Sequence, residues 1–146
     1  MRRVMEFSDL YSSKILEIAG AARQMPRLDS PHGTARKVSR VCGSAIAVDL
    51  KVYEGRVIAY GADVNACALG QTSAAIVAEH IVGATPRELR ALRDQMTAML
   101  KADGAPPAGR WDDLKYLEPV RAFPARHAST LLVFDAVVAA LDAIAQ

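Results

Sequence analysis

Two apolar stretches joined by a turn constrain the fold of this chain more than any other feature. Over residues 46–52 every second residue is large and apolar, which is typical of a strand with one buried face. Residues 53–56 supply a turn in which Gly55 can adopt a positive φ, and residues 57–64 can return as the partner strand. The sequence therefore predicts an antiparallel hairpin near the middle of the chain.

Helical patterns flank this hairpin. An apolar periodicity that starts at Ser8, a good N-cap, and runs toward Ala22 predicts a first helix. A loop rich in Pro, Gly and Asp is expected over residues 26–33. A second helix is predicted over residues 69–82, with Gly83 at its end.

Two further helices are predicted in the C-terminal half. Thr85 can cap a helix that has Pro86 at its first position and Glu88 closing a capping box. A connection that contains Pro and Gly then leads to a last helix over about residues 125–145. This order indicates an α+β fold, a small antiparallel sheet packed against several helices, in a single domain over residues 1–146.

Composition and charge argue against several classes of function. The chain has 18 basic and 16 acidic residues, and the net charge of +2 is too small and too mixed to indicate nucleic-acid binding. No apolar run reaches the roughly 18 residues of a membrane span. The basic start of the chain is interrupted by Glu6 and Asp9, unlike a signal peptide. We therefore expect a cytoplasmic protein with reduced thiols.

The two cysteines lie on either side of the hairpin. Cys42 precedes the first strand and Cys67 follows the second, and antiparallel strands put an early residue of one beside a late residue of the other. The hairpin therefore predicts both thiols at the same end of the sheet. Each cysteine alone could be a small buried hydrophobe. Cys67 also precedes a predicted helix, however, and a helix N-terminus favours the thiolate.

Among the three histidines, His127 is the one that could join the cysteines. His32 falls in the early loop, and His80 lies near a helix end, where it can interact with the helix dipole. His127 would project from the start of the last helix, although periodicity alone favours a structural role for it. Two cysteines and a histidine are a partial ligand set for zinc or iron, and Cys–His nucleophilic catalysis would use the same atoms.

Five short motifs follow one another in a specific order. They are LYSSKIL at residues 10–16, VCGS at 41–44 before an alternating strand, ACALGQTSA at 66–74, IVGAT at 81–85 and LLVFDAV at 131–137. In this order they resemble the NifU/IscU-type iron–sulfur cluster assembly scaffold family, over nearly the whole chain. The resemblance implies an α+β fold of the SufE/NifU-like kind.

The resemblance also implies a site of three cysteines and an aspartate that holds a transient [2Fe–2S] cluster or zinc. It implies a cysteine desulfurase that supplies sulfur and apo iron–sulfur proteins that receive clusters. Cys42 and Cys67 match the first two cysteines, whereas Ser44 replaces the aspartate and Ser129 the third cysteine. Because a neutral hydroxyl is a poor ligand for iron or zinc and imidazole binds both, we predict His127 as the third ligand.

We therefore expect a non-enzymatic scaffold or carrier that binds a transient cluster or iron through Cys42, Cys67 and His127. The alternative is a sulfur acceptor, with zinc or without metal, that takes a persulfide from a cysteine desulfurase. A third interpretation is a structural or interaction domain in which both thiols are dispensable.

Overall fold

The computed structural model describes residues 12–21, 25–40 and 43–144. In chain order its elements are α1 (Ser13–Gly20), β1 (Gly33–Val38), β2 (Ala45–Tyr53), β3 (Arg56–Asn65), α2 (Ala68–His80), α3 (Pro86–Lys101), two 3₁₀ segments (Gly109–Ala122 and Pro124–Arg126) and α4 (His127–Asp142). The predicted α+β class is confirmed.

The predicted hairpin is formed by β2 and β3. β1 pairs with the other side of β2, which gives an antiparallel sheet in the order β1-β2-β3. At the hairpin turn Glu54 and Gly55 have φ angles of 52° and 76°. Left-handed φ angles at both central residues match the twist of the flanking strands. Val48 and Leu50 of β2 are fully buried, as the alternation predicts.

β1 differs from the prediction, because it begins at Gly33, inside the loop expected over residues 26–33. Gly33 is buried and Ala35 half-buried, while the other four residues of the strand are exposed, so the sequence carries almost no apolar alternation there. Gly33 packs closely on α4, since a Cβ at this position would lie 2.1 Å from the carbonyl oxygen of Ala140. Pairing with β2, rather than apolar side chains, defines this strand.

The predicted start of the first helix at Ser8 and its approach to Ala22 lie outside the described residues. In the described part, Ser12 caps α1, and its Oγ accepts a hydrogen bond from the backbone N–H of Ile15 at 3.2 Å. Ile15 is buried. The Oγ1 of Thr72 on α2 donates to the Ala68 carbonyl at 2.7 Å and lies 3.3 Å from the Ile15 carbonyl oxygen, so α1 contacts α2 at this point.

α2 ends two residues earlier than predicted, and the turn that follows it covers the edge of the sheet. Gly83 has a φ of 96°, a conformation that glycine adopts without strain. Its N–H donates to the carbonyl of Val57 at 2.8 Å, and the N–H of Val57 donates to the carbonyl of Ala84 at 2.9 Å. The first residues of β3 are therefore hydrogen-bonded also on the outer edge of the strand.

α3 has the predicted N-cap and half of the predicted capping box. The Oγ1 of Thr85 accepts from the N–H of Glu88 at 3.1 Å. The carboxylate of Glu88 instead accepts a hydrogen bond from the Trp111 indole at 2.8 Å and lies 3.4 Å from Arg110 Nε. This contact ties the start of α3 to the longer 3₁₀ segment.

The longer 3₁₀ segment was expected only as a connection that contains Pro and Gly. Its buried residues recur at every third position, at Trp111, Leu114, Leu117 and Val120. A 3₁₀ helix has three residues per turn, so these side chains line one face. They join the core, and the segment packs against α2 and α3.

α4 is the central element of the core. Predicted over about residues 125–145, it runs His127–Asp142 and packs against β1, β2, α2 and α3. Most of its side chains are buried, and they include Leu132, Phe134 and Val137. Within the described ranges, neither α4 nor any other helix is long and apolar enough to cross a membrane.

An ion pair between a buried carboxylate and a half-exposed arginine fixes the segment after α1 to the middle strand. Asp49 of β2 accepts hydrogen bonds from Arg27 at 2.6 and 2.9 Å, from the N–H of Leu28 at 3.0 Å and from Thr34 at 2.6 Å. The hydrogen bonds from Arg27, aided by those from Thr34 and Leu28, lower the pKa of Asp49 to about 2 despite its burial. The chain before β1 is thereby held against the sheet.

Candidate functional site

Cys67 lies at the junction between β3 and α2. It is the N-cap residue of α2, with φ −67° and ψ 173°, and its carbonyl accepts the N–H of Gln71 at 2.8 Å. The Gln71 side chain donates to the carbonyl of Ala66 at 2.9 Å, which fixes the backbone just before the cysteine. The thiol is half-buried and, within the described part of the chain, forms no disulfide.

One serine hydroxyl contacts this thiol, and a second serine hydroxyl contacts the first. The Oγ of Ser129, on α4, is 3.2 Å from the Sγ of Cys67. The Oγ of Ser44, just before β2, is 3.3 Å from the Oγ of Ser129. Both serines are almost fully buried, at 3% exposure for Ser44 and 1% for Ser129. Cys67, Ser129 and Ser44 thus form a hydrogen-bonded row, here called the thiol–serine row.

A close crossing of two helices positions Ser129. A Cβ added at Gly70 of α2 would lie 3.1 Å from the Ser129 hydroxyl and 2.8 Å from the Cβ of Ala66. Glycine at position 70 therefore allows α4 to approach the first turn of α2. This approach places the hydroxyl beside the cysteine.

A tight turn before β2 positions Ser44. Gly43 has a φ of 73°, its N–H donates to the carbonyl of Ser39 at 2.9 Å, and the N–H of Ser39 donates to the carbonyl of Ser44 at 2.8 Å. Next to this turn, Ala45 pairs with Asn65, two residues before Cys67. Cys42 itself lies outside the described residues, so its proximity to Cys67 stays a prediction.

His127 is directed at the backbone of the preceding segment. Its Nε2 lies 3.0 Å from the carbonyl oxygen of Val120 and 3.2 Å from that of Arg121, so this nitrogen carries the hydrogen and donates. Residues two apart on an α-helix point to different sides. The structure accordingly brings Ser129, and not His127, into hydrogen-bond contact with Cys67.

The other two histidines occupy structural positions. The Nδ1 of His32 lies 3.1 Å from the backbone nitrogen of Val52, and the ring is exposed. His80 ends α2 and meets Trp111 edge to face at 6.0 Å. Within the described ranges, no group of three His, Cys, Asp or Glu side chains could hold a metal ion.

The donor set of the described site is therefore one thiol and two hydroxyls. A thiolate suits iron and zinc, whereas a neutral hydroxyl is a poor ligand for both. The hydroxyls can donate hydrogen bonds to sulfur, and a complete ligand set needs donors beyond the thiol–serine row. The chemistry of single residues did not identify Ser44 and Ser129 as candidate site residues. The resemblance, however, aligns both with ligand positions of the family.

Comparison with known proteins identifies the family. No family model matches the chain. The iron–sulfur cluster assembly scaffold protein IscU of Thermotoga maritima is 25% identical over 142 residues, which cover 97% of this chain and 99% of that protein. A protein of Fervidobacterium islandicum assigned as an iron–sulfur cluster assembly scaffold of the SUF system is 17% identical, with a TM-score of 0.83 over 93% of this chain and 99% of that one, which supports the fold.

A closer likeness is to a solved NifU-like domain. The crystal structure of the N-terminal part of a nitrogen-fixing NifU-like protein from Brucella abortus is 47% identical to this chain, with a TM-score of 0.91. The match covers 94% of this chain and 95% of the other. The resemblance predicted from the sequence is thus confirmed, and the chain belongs to the NifU/IscU-type family of iron–sulfur cluster assembly scaffold proteins.

Proposed function

We propose that this protein is a non-enzymatic scaffold that receives an iron–sulfur cluster and passes it on. The proposal rests mainly on the position of Cys67, whose half-buried thiol lies at the N-cap of α2. Around it, the thiol–serine row occupies the positions where the family resemblance expects ligands. The cluster is cargo in this function, so weak and reversible binding suits it.

The proposed ligands are the thiolates of Cys42 and Cys67, and the proposed cargo is a transient [2Fe–2S] cluster, with iron or zinc alone as simpler occupants. His127 as a third ligand stays a prediction. It requires either binding through Nδ1 or release of the Val120 carbonyl, which now accepts a hydrogen bond from Nε2. The proposed partners are a cysteine desulfurase that supplies sulfur and apo iron–sulfur proteins that accept clusters, in the reducing cytoplasm.

Anaerobic reconstitution with ferrous iron and sulfide tests this function. We expect visible absorbance from a bound cluster in the wild type and its loss in Cys42→Ala and in Cys67→Ala. Ser129→Ala is the matched control, since it changes a neighbour of Cys67 without removing a thiol, and it should keep the colour. A colourless wild type with no bound iron would contradict the proposal.

The second candidate function is sulfur acceptance. It is favoured by the hydroxyl next to Cys67, because Ser129 can donate a hydrogen bond to sulfur but is a poor metal ligand. Incubation with a desulfurase and cysteine should then add one sulfur atom to the intact mass of the reduced protein. The absence of any adduct would exclude this candidate, and metal analysis of the fresh protein decides between zinc-bound and metal-free forms.

A further inference from the structure

β1 is an edge strand, and in the part of the chain that the structure describes its outer side has no backbone partner. The N–H of Ser39 donates to the carbonyl of Ser44 at 2.8 Å, in line with the β1–β2 register. Because the backbone groups of an antiparallel strand alternate between its two sides, those of Thr34, Arg36 and Val38 point away from β2. All three residues are exposed, so an extended chain can reach their N–H and C=O groups.

A cavity of about 400 Å³ lies beside this edge and is lined by residues of β1, α3 and α4. Its apolar lining comes mainly from α4 and includes Leu131, Leu132 and Val138. Neighbouring strands are about 4.8 Å apart, so a segment paired with β1 would lie along this cavity. Every second side chain of that segment would point toward α4. The edge of β1 and the cavity are together called the β1 groove here.

Cationic side chains border the β1 groove on both sides. Lys37 of β1 and Lys101 of α3 line the cavity, and neither forms an ion pair with a residue that the structure describes. Arg93 of α3 also lines the cavity, and its Nε lies 3.1 Å from the carboxylate of Asp94. The exposed Arg36 adds a further cation on the opposite face of the strand.

Two carboxylates of α4 offset these cations only in part. Asp142 lies 2.8 Å from Arg90 and is thereby paired. Asp135 lies among the cations of the groove, and its pKa is raised because it is partly buried, although Lys37 and Lys101 act in the opposite direction. With the contact pairs set aside, the groove keeps an excess of positive charge.

This charge decides which chain can pair with β1. Pairing between two copies of β1 would bring Arg36 and Lys37 of one copy near the same cations of the other, and like charges on facing strands are destabilising. An acidic chain meets attraction at the same positions. We propose that the β1 groove binds an extended acidic segment of a partner protein, which adds a strand to the sheet at β1.

The position of the β1 groove gives such binding a consequence. Ala128 lines the cavity and directly precedes Ser129 of the thiol–serine row. A partner that adds a strand here is therefore held beside Cys67. The inference does not depend on the proposed function, because strand addition requires neither a cluster nor a thiol.

Amide hydrogen exchange of the isotope-labelled protein, followed by NMR, tests the proposal. The probe is the capped peptide Glu-Glu-Val-Val-Glu-Glu, which presents acidic and apolar side chains on both faces when it is extended. With the peptide bound, the amides of Thr34, Arg36 and Val38 should exchange about tenfold more slowly. Those of Ala35 and Lys37, which already face β2, should change little.

Charge variants measure the electrostatic part of binding. Lys37→Glu and Lys101→Glu should each weaken peptide binding by about three- to tenfold, because attraction becomes repulsion. Asp135→Asn should strengthen it by about two- to threefold, since a like charge is removed. Lys115→Glu is the matched control, because this exposed lysine lies outside the cavity, and binding should stay unchanged. The NMR spectrum of each variant verifies its fold.

Two control peptides separate strand addition from simple charge attraction. The peptide Lys-Lys-Val-Val-Lys-Lys should not bind, and neither should the acidic peptide with every backbone nitrogen methylated, since it cannot donate hydrogen bonds to the edge. Binding of the methylated peptide, or binding without slower exchange at Thr34, Arg36 and Val38, would overturn the proposal. So would the absence of binding at about 1 mM acidic peptide, or a peptide-free dimer in which the same amides are protected, because the occupant would then be a second copy.

Discussion

Replacing Asp49 with asparagine tests the ion pair that holds the segment after α1 against the sheet. Asp49 is 0% exposed, and its pKa is about 2 instead of 3.8, mainly because Arg27 donates hydrogen bonds to it. This difference corresponds to about 2.5 kcal/mol of stability at neutral pH. Because 47% of the Arg27 side chain is exposed, solvent screening reduces the expected contribution to about 1–2 kcal/mol.

The pH dependence has a definite sign. The pKa of Asp49 is lower in the folded state than in the unfolded chain, so its contribution is fully present above about pH 4 and is lost as the pH falls through about 2. Asp49→Asn removes the charge at every pH. The difference in unfolding free energy between wild type and variant should therefore shrink by about 1–2 kcal/mol between pH 7 and pH 2.

Urea unfolding of wild type and Asp49→Asn at several pH values measures this difference. The contributions of titratable groups that both proteins share cancel when the two unfolding free energies are subtracted. Asp63→Asn is the matched control, because Asp63 is an exposed carboxylate near Arg27. It should change stability by less than about 0.5 kcal/mol at any pH. A difference between wild type and Asp49→Asn that stays constant across this pH range would refute the reasoning.

Substitutions at three further positions test packing and capping, each by urea unfolding. Tyr60→Phe should stabilise the protein by about 1 kcal/mol, because the Tyr60 hydroxyl is buried and has no hydrogen-bond partner among the residues that the structure describes; a loss of stability would contradict this. Gly70→Ala should cost about 1 kcal/mol and speed thiol modification of Cys67, because the new Cβ presses on Ser129; an unchanged modification rate would argue against the tight crossing. Thr85→Ala should cost about 1 kcal/mol and Thr85→Ser almost nothing, since the hydroxyl caps α3; equal losses in both would exclude capping as the cause.

The hairpin and the caps were predictable because their signals are local. Alternation over β2, glycine at position 55 and the hydroxyl of Thr85 each specify a neighbouring backbone conformation. β1 was missed because its definition comes from pairing with β2 and from the contact of Gly33 with α4, neither of which leaves an apolar pattern. The long 3₁₀ segment carried a readable signal, the spacing of three from Trp111 to Val120, which a search for helical and alternating periods overlooks.

The choice between His127 and Ser129 shows where sequence reasoning stops. Ligand chemistry favours the imidazole, and the two residues are only two positions apart. On a helix that spacing turns them to different sides, so one of them at most faces Cys67. Which one does so depends on the rotation of α4, and that is set by core packing and by the crossing at Gly70. Tertiary contacts of this kind are not encoded in a local pattern.

The thiol–serine row joins parts of the chain that are synthesised far apart in time. Ser129 is 62 residues from Cys67 and 85 residues from Ser44. During translation the cysteine and the sheet emerge first, and the helix that brings Ser129 follows only after α2, α3 and both 3₁₀ segments. A nascent chain without α4 lacks the hydroxyl that contacts the thiol and the helix that covers the sheet. Completion of the site is therefore a late event of biosynthesis, and an unfinished chain presents Cys67 in a different chemical environment from the mature one.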